Sequence, residues 1–112
     1  MGEKGLGKTS IGLKPNVAAL LSYLVGIITG VIFYVIEKEN KFVRFHALQS
    51  IVVFGFFFML YIILPFIPII GWVLLPLISI VTIILWIILM IKAYQGEYFK
   101  LPIAGVIAEK NT

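Results

Sequence analysis

One stretch of the chain gathers residues able to do chemistry in apolar surroundings: Phe42-Val-Arg44-Phe-His46-Ala-Leu-Gln49-Ser50. Histidine can hold or pass a proton near neutrality, glutamine offers two donors and an acceptor, and a serine hydroxyl can bind or attack. On a helix His46, Gln49 and Ser50 stand at i, i+3 and i+4 and share a face. Polar groups at membrane depth need partners and tend to face a bundle interior or a water-filled cavity. Two readings therefore stand side by side. One is a polar vestibule, and the other is an interfacial anchor whose polar atoms are met by headgroups and backbone. Arg44 falls on a different face and is expected to meet lipid phosphates. A serine four residues from its histidine on one helix makes a poor nucleophile–base pair.

The remaining chemistry-bearing patterns are weaker. Gly2-Glu-Lys-Gly-Leu-Gly7-Lys8-Thr9 matches the phosphate-loop pattern letter by letter. A working loop follows a strand and opens a helix. Here no strand is expected ahead of it, and with no Asp in the chain the usual magnesium ligand is missing. Nucleotide binding is not expected. The five acids, Glu3, Glu37, Glu39, Glu97 and Glu109, all lie outside the apolar stretches, and there is no Cys. No catalytic residue, cofactor or metal ligand is expected, and the chain reads as non-enzymatic.

These residues must be positioned by elements made almost wholly of apolar side chains. Of 112 residues 62% are apolar and 12% charged, with a mean hydropathy of +1.13. A soluble domain of this size would be about a quarter charged, so most of the surface must face lipid. The net charge of +4 does not argue for nucleic acid, because the basic residues sit at the ends of apolar runs.

The lengths of the uncharged apolar runs predict an all-α integral membrane protein with three transmembrane helices, at about 16–36, 43–64 and 70–92. The first follows Pro15, with Asn16 as the expected N-cap. The uncharged run Phe45–Ile91 would be about 70 Å as one helix, against roughly 30 Å of hydrocarbon. It must turn at Pro65-Phe-Ile-Pro68-Ile-Ile-Gly71, where two backbone donors are missing and a glycine frees the chain. Residues 1–15 read as a flexible basic tail, 16–95 as the three-helix domain and 96–112 as an interfacial or cytoplasmic tail. Its apolar patch Leu101–Ala108 is too short to span and is expected along the interface or folded back onto the helices. No internal repeat is evident.

In the first predicted helix Ala18, Ser22, Gly26 and Gly30 recur every four residues, forming a stripe of small side chains. Helices in lipid associate by close packing, which such stripes permit. The stripe reads either as packing within the chain or as an interface with a homo-oligomer or another membrane subunit. Three crossings place the termini on opposite sides. Lys4, Lys8 and Lys14 then face Lys38, Lys41, Arg44, Lys92, Lys100 and Lys110 across the bilayer. The basic excess puts the N-terminus outside and the C-terminus in the cytoplasm of a cell-membrane protein.

The strings NVAALLSYLVG, KFVRFHALQS and AYQGEYFKLPIAGVIAEK, in this order, resemble small prokaryotic membrane proteins related to the twenty-kilodalton subunit of the chloroplast inner-envelope protein-import translocon. The resemblance covers about residues 16–109, with FVRFHALQS its most specific piece. It implies an all-helical membrane domain and a part in protein translocation. The expected role is a subunit or assembly partner of a membrane complex. The alternative is a homo-oligomeric channel for ions or small solutes, lined by the His46–Gln49–Ser50 face.

Overall fold

The computed structural model describes residues 7–112, which form helices without a strand. The parts of the basic tail and of the phosphate-loop-like string that fall on residues 1–6 lie outside the described residues. The elements are α1 (Pro15–Leu24), α2 (Ile27–Ile36), α3 (Lys41–Ile63), a 3₁₀ turn (Leu64–Phe66), α4 (Ile70–Tyr94) and α5 (Ala104–Lys110). Helices α3 and α4 are long and apolar enough to cross a membrane. They meet at the turn anticipated from Pro65, Pro68 and Gly71.

The first predicted span is not one helix. It breaks at Val25–Gly26, where Gly26 adopts φ 61° and ψ −124°, a region closed to side chains with a Cβ. A break in apolar surroundings frees backbone groups that must be met within the protein. Thr29 Oγ1 accepts from the Val25 N–H and donates to the Ser22 carbonyl, each at 3.1 Å. Trp86 Nε1 donates to the Tyr23 carbonyl at 2.8 Å, and Ser50 Oγ to the Gly26 carbonyl at 2.9 Å. The expected cap also moves. Lys14 is the N-cap, Pro15 opens α1, and Asn16 instead donates to the Tyr94 carbonyl at 3.0 Å.

The chain reverses direction at this break. Asn16 lies beside Tyr94 and Tyr23 beside Trp86, so α1 runs antiparallel to α4. Gly26 abuts Phe54, Gly30 abuts Ala47, Ser50 and Ile51, and the Tyr34 carbonyl accepts from Arg44, so α2 runs antiparallel to α3. Helices α1 and α2 therefore form a hairpin whose tip lies over the middle of α3. Its two open ends are tied together: Ser10 donates to the Glu37 carboxylate, and Asn40 Nδ2 to the Lys8 carbonyl.

The C-terminal segment makes a second excursion along α3. It follows the helix from Glu97, bonded by His46, to Leu101, bonded by Gln49. Leu101 to Ala104 then line a groove with Val52, Val53, Phe56 and Phe57. Helix α5 returns it, so that Lys100 pairs with Glu109 at 2.7 Å and Thr112 reaches Arg44 at 3.2 Å. The turn that launches α5 repeats the one that launches α4. In Pro68-Ile-Ile-Gly71 and Pro102-Ile-Ala-Gly105 the third residue's N–H donates to the proline carbonyl at 2.7 Å. The isoleucine between sits at φ 68° in both, a strained γ-turn. Both glycines lack room for a Cβ, Gly71 against the Leu64 carbonyl and Gly105 against Lys100.

Burial is concentrated in one half of the molecule; in the other, among the described residues, only Leu64 and Gly71 at the turn are buried. On α3 the buried residues run from Phe42 to Val53 and stop. On α4 only Leu89 and Ala93 are buried beyond the turn residue Gly71. They join Ala19, Tyr23, Phe42, Val53 and Ala104 in the core. The other half is a two-helix hairpin with exposed Phe58, Ile62, Trp72 and Leu77, tied by the Tyr61 hydroxyl donating to Ser79 Oγ at 2.9 Å.

Candidate functional site: a buried polar clasp

His46, Gln49 and Ser50 share a face of α3 and are fully buried. The face is filled by both excursions of the chain. His46 Nε2 lies 2.8 Å from the Glu97 carbonyl. A carbonyl only accepts, so Nε2 carries the proton and Nδ1 accepts in the neutral ring. The Tyr23 hydroxyl, 2.6 Å from Nδ1, is then the donor, and its oxygen accepts from Gln49 Nε2 at 2.9 Å. Gln49 Nε2 also donates to the Phe99 carbonyl at 2.9 Å, and its Oε1 accepts the Leu101 N–H at 3.0 Å. The hydrogen bonds thus run in one direction, from Gln49 through Tyr23 to His46 and on to Glu97. Phe42, Phe45 and Tyr23 meet the imidazole edge-on at 4.6, 5.0 and 5.4 Å, and Tyr98 stacks at 6.4 Å.

Ser50 does not join this relay. Its hydroxyl proton goes to the Gly26 carbonyl at the hairpin tip, leaving no Ser–His bond. Arg44, expected to reach lipid phosphates, turns inward. Its Nη1 donates to the carbonyls of Tyr34 at 3.0 Å and Glu37 at 2.8 Å, its Nε to Thr112 at 3.2 Å, and its guanidinium lies 4.1 Å over the Tyr34 ring. A cation on the last carbonyls of α2 meets the negative end of that helix.

The small-residue stripe is split by the break but still packs on its own chain. Ala18 and Ser22 are fully buried on α1. A Cβ on Gly26 would touch the Phe54 ring at 3.4 Å, and one on Gly30 would press the Ala47 carbonyl at 3.1 Å.

Sequence reasoning missed Glu37, placing it only among the acids outside the apolar stretches. It is fully buried. Its carboxylate accepts from the N–H and hydroxyl of Ser10 and from the N–H groups of Glu39 and Asn40, at 2.8 to 3.0 Å. Burial pushes its pKa up, but the bonds from Asn40, Ser10 and Glu39 outweigh this and hold the carboxyl below its ordinary range. Asn40 caps α3, its Oδ1 accepting from the Val43 N–H. That cap beside a glutamate at a helix junction was the available signal.

Comparison with known proteins fixes the kinship. The chain matches the magnetosome magnetite crystal formation protein family (MamF/MmsF) over residues 9–108. It is 56% identical over 105 residues to a UPF0132 membrane protein of Methanocaldococcus jannaschii, covering 94% of each chain. It is 51% identical over 99 residues to one of Archaeoglobus fulgidus, covering 88% of this chain and 96% of the relative. No solved structure matches. The resemblance to the chloroplast translocon subunit is overturned. The strings that carried it fall almost wholly within residues 9–108, and nothing in these matches links the chain to that translocon. Apolar helices share composition for the physical reason that all face lipid, so they discriminate families poorly. The inferred translocation role goes with the resemblance. The chain belongs to the magnetosome magnetite crystal formation (MamF/MmsF) protein family, and its relatives include UPF0132 membrane proteins.

Proposed function

We propose that this chain is a non-enzymatic, multi-pass protein of the cell membrane that acts through its lipid-embedded body, as a structural or assembly component. The supporting observation is that its one polar cluster in the apolar region is spent on internal bonds. His46, Gln49 and Ser50 are closed by Tyr23, Glu97, Phe99, Leu101 and Gly26. This favours a clasp over a vestibule, and an assembly role over the channel alternative.

The proposed topology has two crossings, α3 and α4, with the α1–α2 hairpin and the C-terminal segment entering and leaving on one side. Lys8, Lys14, Lys38, Lys41, Arg44, Lys92, Lys100 and Lys110 then gather at that end, and the Leu64–Gly71 turn carries no charge. The positive-inside bias puts this end, with Ser10 and Thr112, in the cytoplasm. The chain has no cysteine, so single cysteines report cleanly. In native membranes Ser10→Cys and Thr112→Cys should react with an impermeant maleimide from the cytoplasmic side, and Ile69→Cys from the other. Ser10 and Thr112 labelling from opposite sides would defeat this topology. The mass of the complex released gently from native membranes tests the assembly role, which a strictly monomeric species would defeat.

A further inference from the structure

The two membrane leaflets receive very different amounts of this protein. Lys41 to Phe54 covers about 20 Å along α3 and Phe54 to Ile63 about 14 Å, against a hydrocarbon thickness of roughly 30 Å. The α1–α2 tip at Gly26 stops over Ser50 and Phe54, and the C-terminal excursion stops at Pro102 and Ile103 beside Val52–Phe57. Both tips therefore lie near mid-bilayer. On the basic side the cross-section holds α1, α2, α3, α4 and the tail with α5, whereas beyond the tips only α3 and α4 continue. Burial follows the same division, ending at Val53 on α3 and, the turn residues Leu64 and Gly71 apart, resuming only at Leu89 on α4.

We infer that the protein is a wedge that prefers curved membrane, bulging toward the side of its charged end. This rests on the topology proposed above. A body that occupies more area in one leaflet is accommodated with least lipid packing strain where that leaflet is stretched, which is the convex one. Insertion to half depth from one face has the same curvature dependence in interfacial helices. The exposed apolar flanks of Phe58, Ile62, Leu77 and Ile80 are covered by lipid tails, which fill the volume the missing helices leave.

The test uses the full chain, fluorescently labelled at Thr112→Cys, in giant vesicles from which a narrow tube is pulled. An impermeant quencher separates molecules with the charged end outward from those with it inward. Outward-facing molecules should be several-fold denser per lipid on the tube than on the vesicle, rising as the tube narrows, and inward-facing molecules should be depleted. Equal densities in both orientations would overturn the inference. So would enrichment of the inward-facing population, or two-step photobleaching with uniform density, which would mean a second copy fills the narrow half. Maleimide labelling reads the topology separately, so a failed topology and a failed curvature preference are told apart.

Discussion

The Tyr23 hydroxyl donates to His46 Nδ1 across 2.6 Å, joining the α1–α2 hairpin to α3 inside the core. The opposite ring nitrogen holds the C-terminal segment through Glu97. One imidazole thus secures both excursions of the chain, and its protonated nitrogen is fixed by the carbonyl it faces.

Tyr23→Phe removes the donor to His46 and the acceptor for Gln49. Hydrogen bonds in membrane bundles contribute on average about 0.6 kcal/mol and up to about 1.7 kcal/mol, and this desolvated relay belongs at the upper end. A double-mutant cycle of Tyr23→Phe with His46→Ala, read by unfolding in mixed micelles, should give a positive coupling energy of that order. Additive effects would mean the contact carries no energy of its own.

Glu37→Gln should lower stability and flatten its pH dependence. The folded-state pKa lies below the ordinary carboxylate range. The stabilisation is therefore complete above that range and fades as pH falls toward the folded value. Wild-type denaturation midpoints should drop on acidification while the variant's stay level over the same interval. Parallel curves would assign the pH response to another group.

Gly26→Ala places a Cβ on a residue at φ 61° and 3.4 Å from the Phe54 ring. A non-glycine residue held in such a sparsely populated region costs about 1 to 3 kcal/mol. An unchanged unfolding midpoint would show that the segment runs on as a straight helix, as its hydropathy alone suggests.

Gly30→Val should loosen α2 from α3, because the added side chain meets the Ala47 backbone carbonyl, which cannot swing aside. If the stripe instead served contacts between chains, the variant would lower the mass of the gently extracted complex and leave monomer unfolding unchanged.

His46→Ala in proteoliposomes should leave ion permeability at the background of empty vesicles, as should the wild type. The face that would line a pore is occupied by Tyr23 and the Glu97–Leu101 backbone. A wild-type conductance altered by the substitution would restore the channel reading.

The sequence by itself determined the all-helical, strongly apolar character, the two long helices and the turn at Pro65–Gly71. Composition and backbone chemistry act locally, and two prolines with a glycine end a helix wherever they lie. It also singled out His46, Gln49 and Ser50 as one face, since helical spacing alone sets that. The reversal at Gly26 was illegible, because a segment that crosses the bilayer and one that turns back at half depth bury the same apolar residues. Its direction is decided by long-range bonds such as Asn16 to Tyr94, Ser10 to Glu37 and Ser50 to Gly26. The inward turn of Arg44 and the burial of Glu37 likewise depend on partners remote in sequence, at Thr112 and Ser10. Only the tertiary structure could bring both ends of the described chain to one end of the molecule and turn a polar cluster into a clasp.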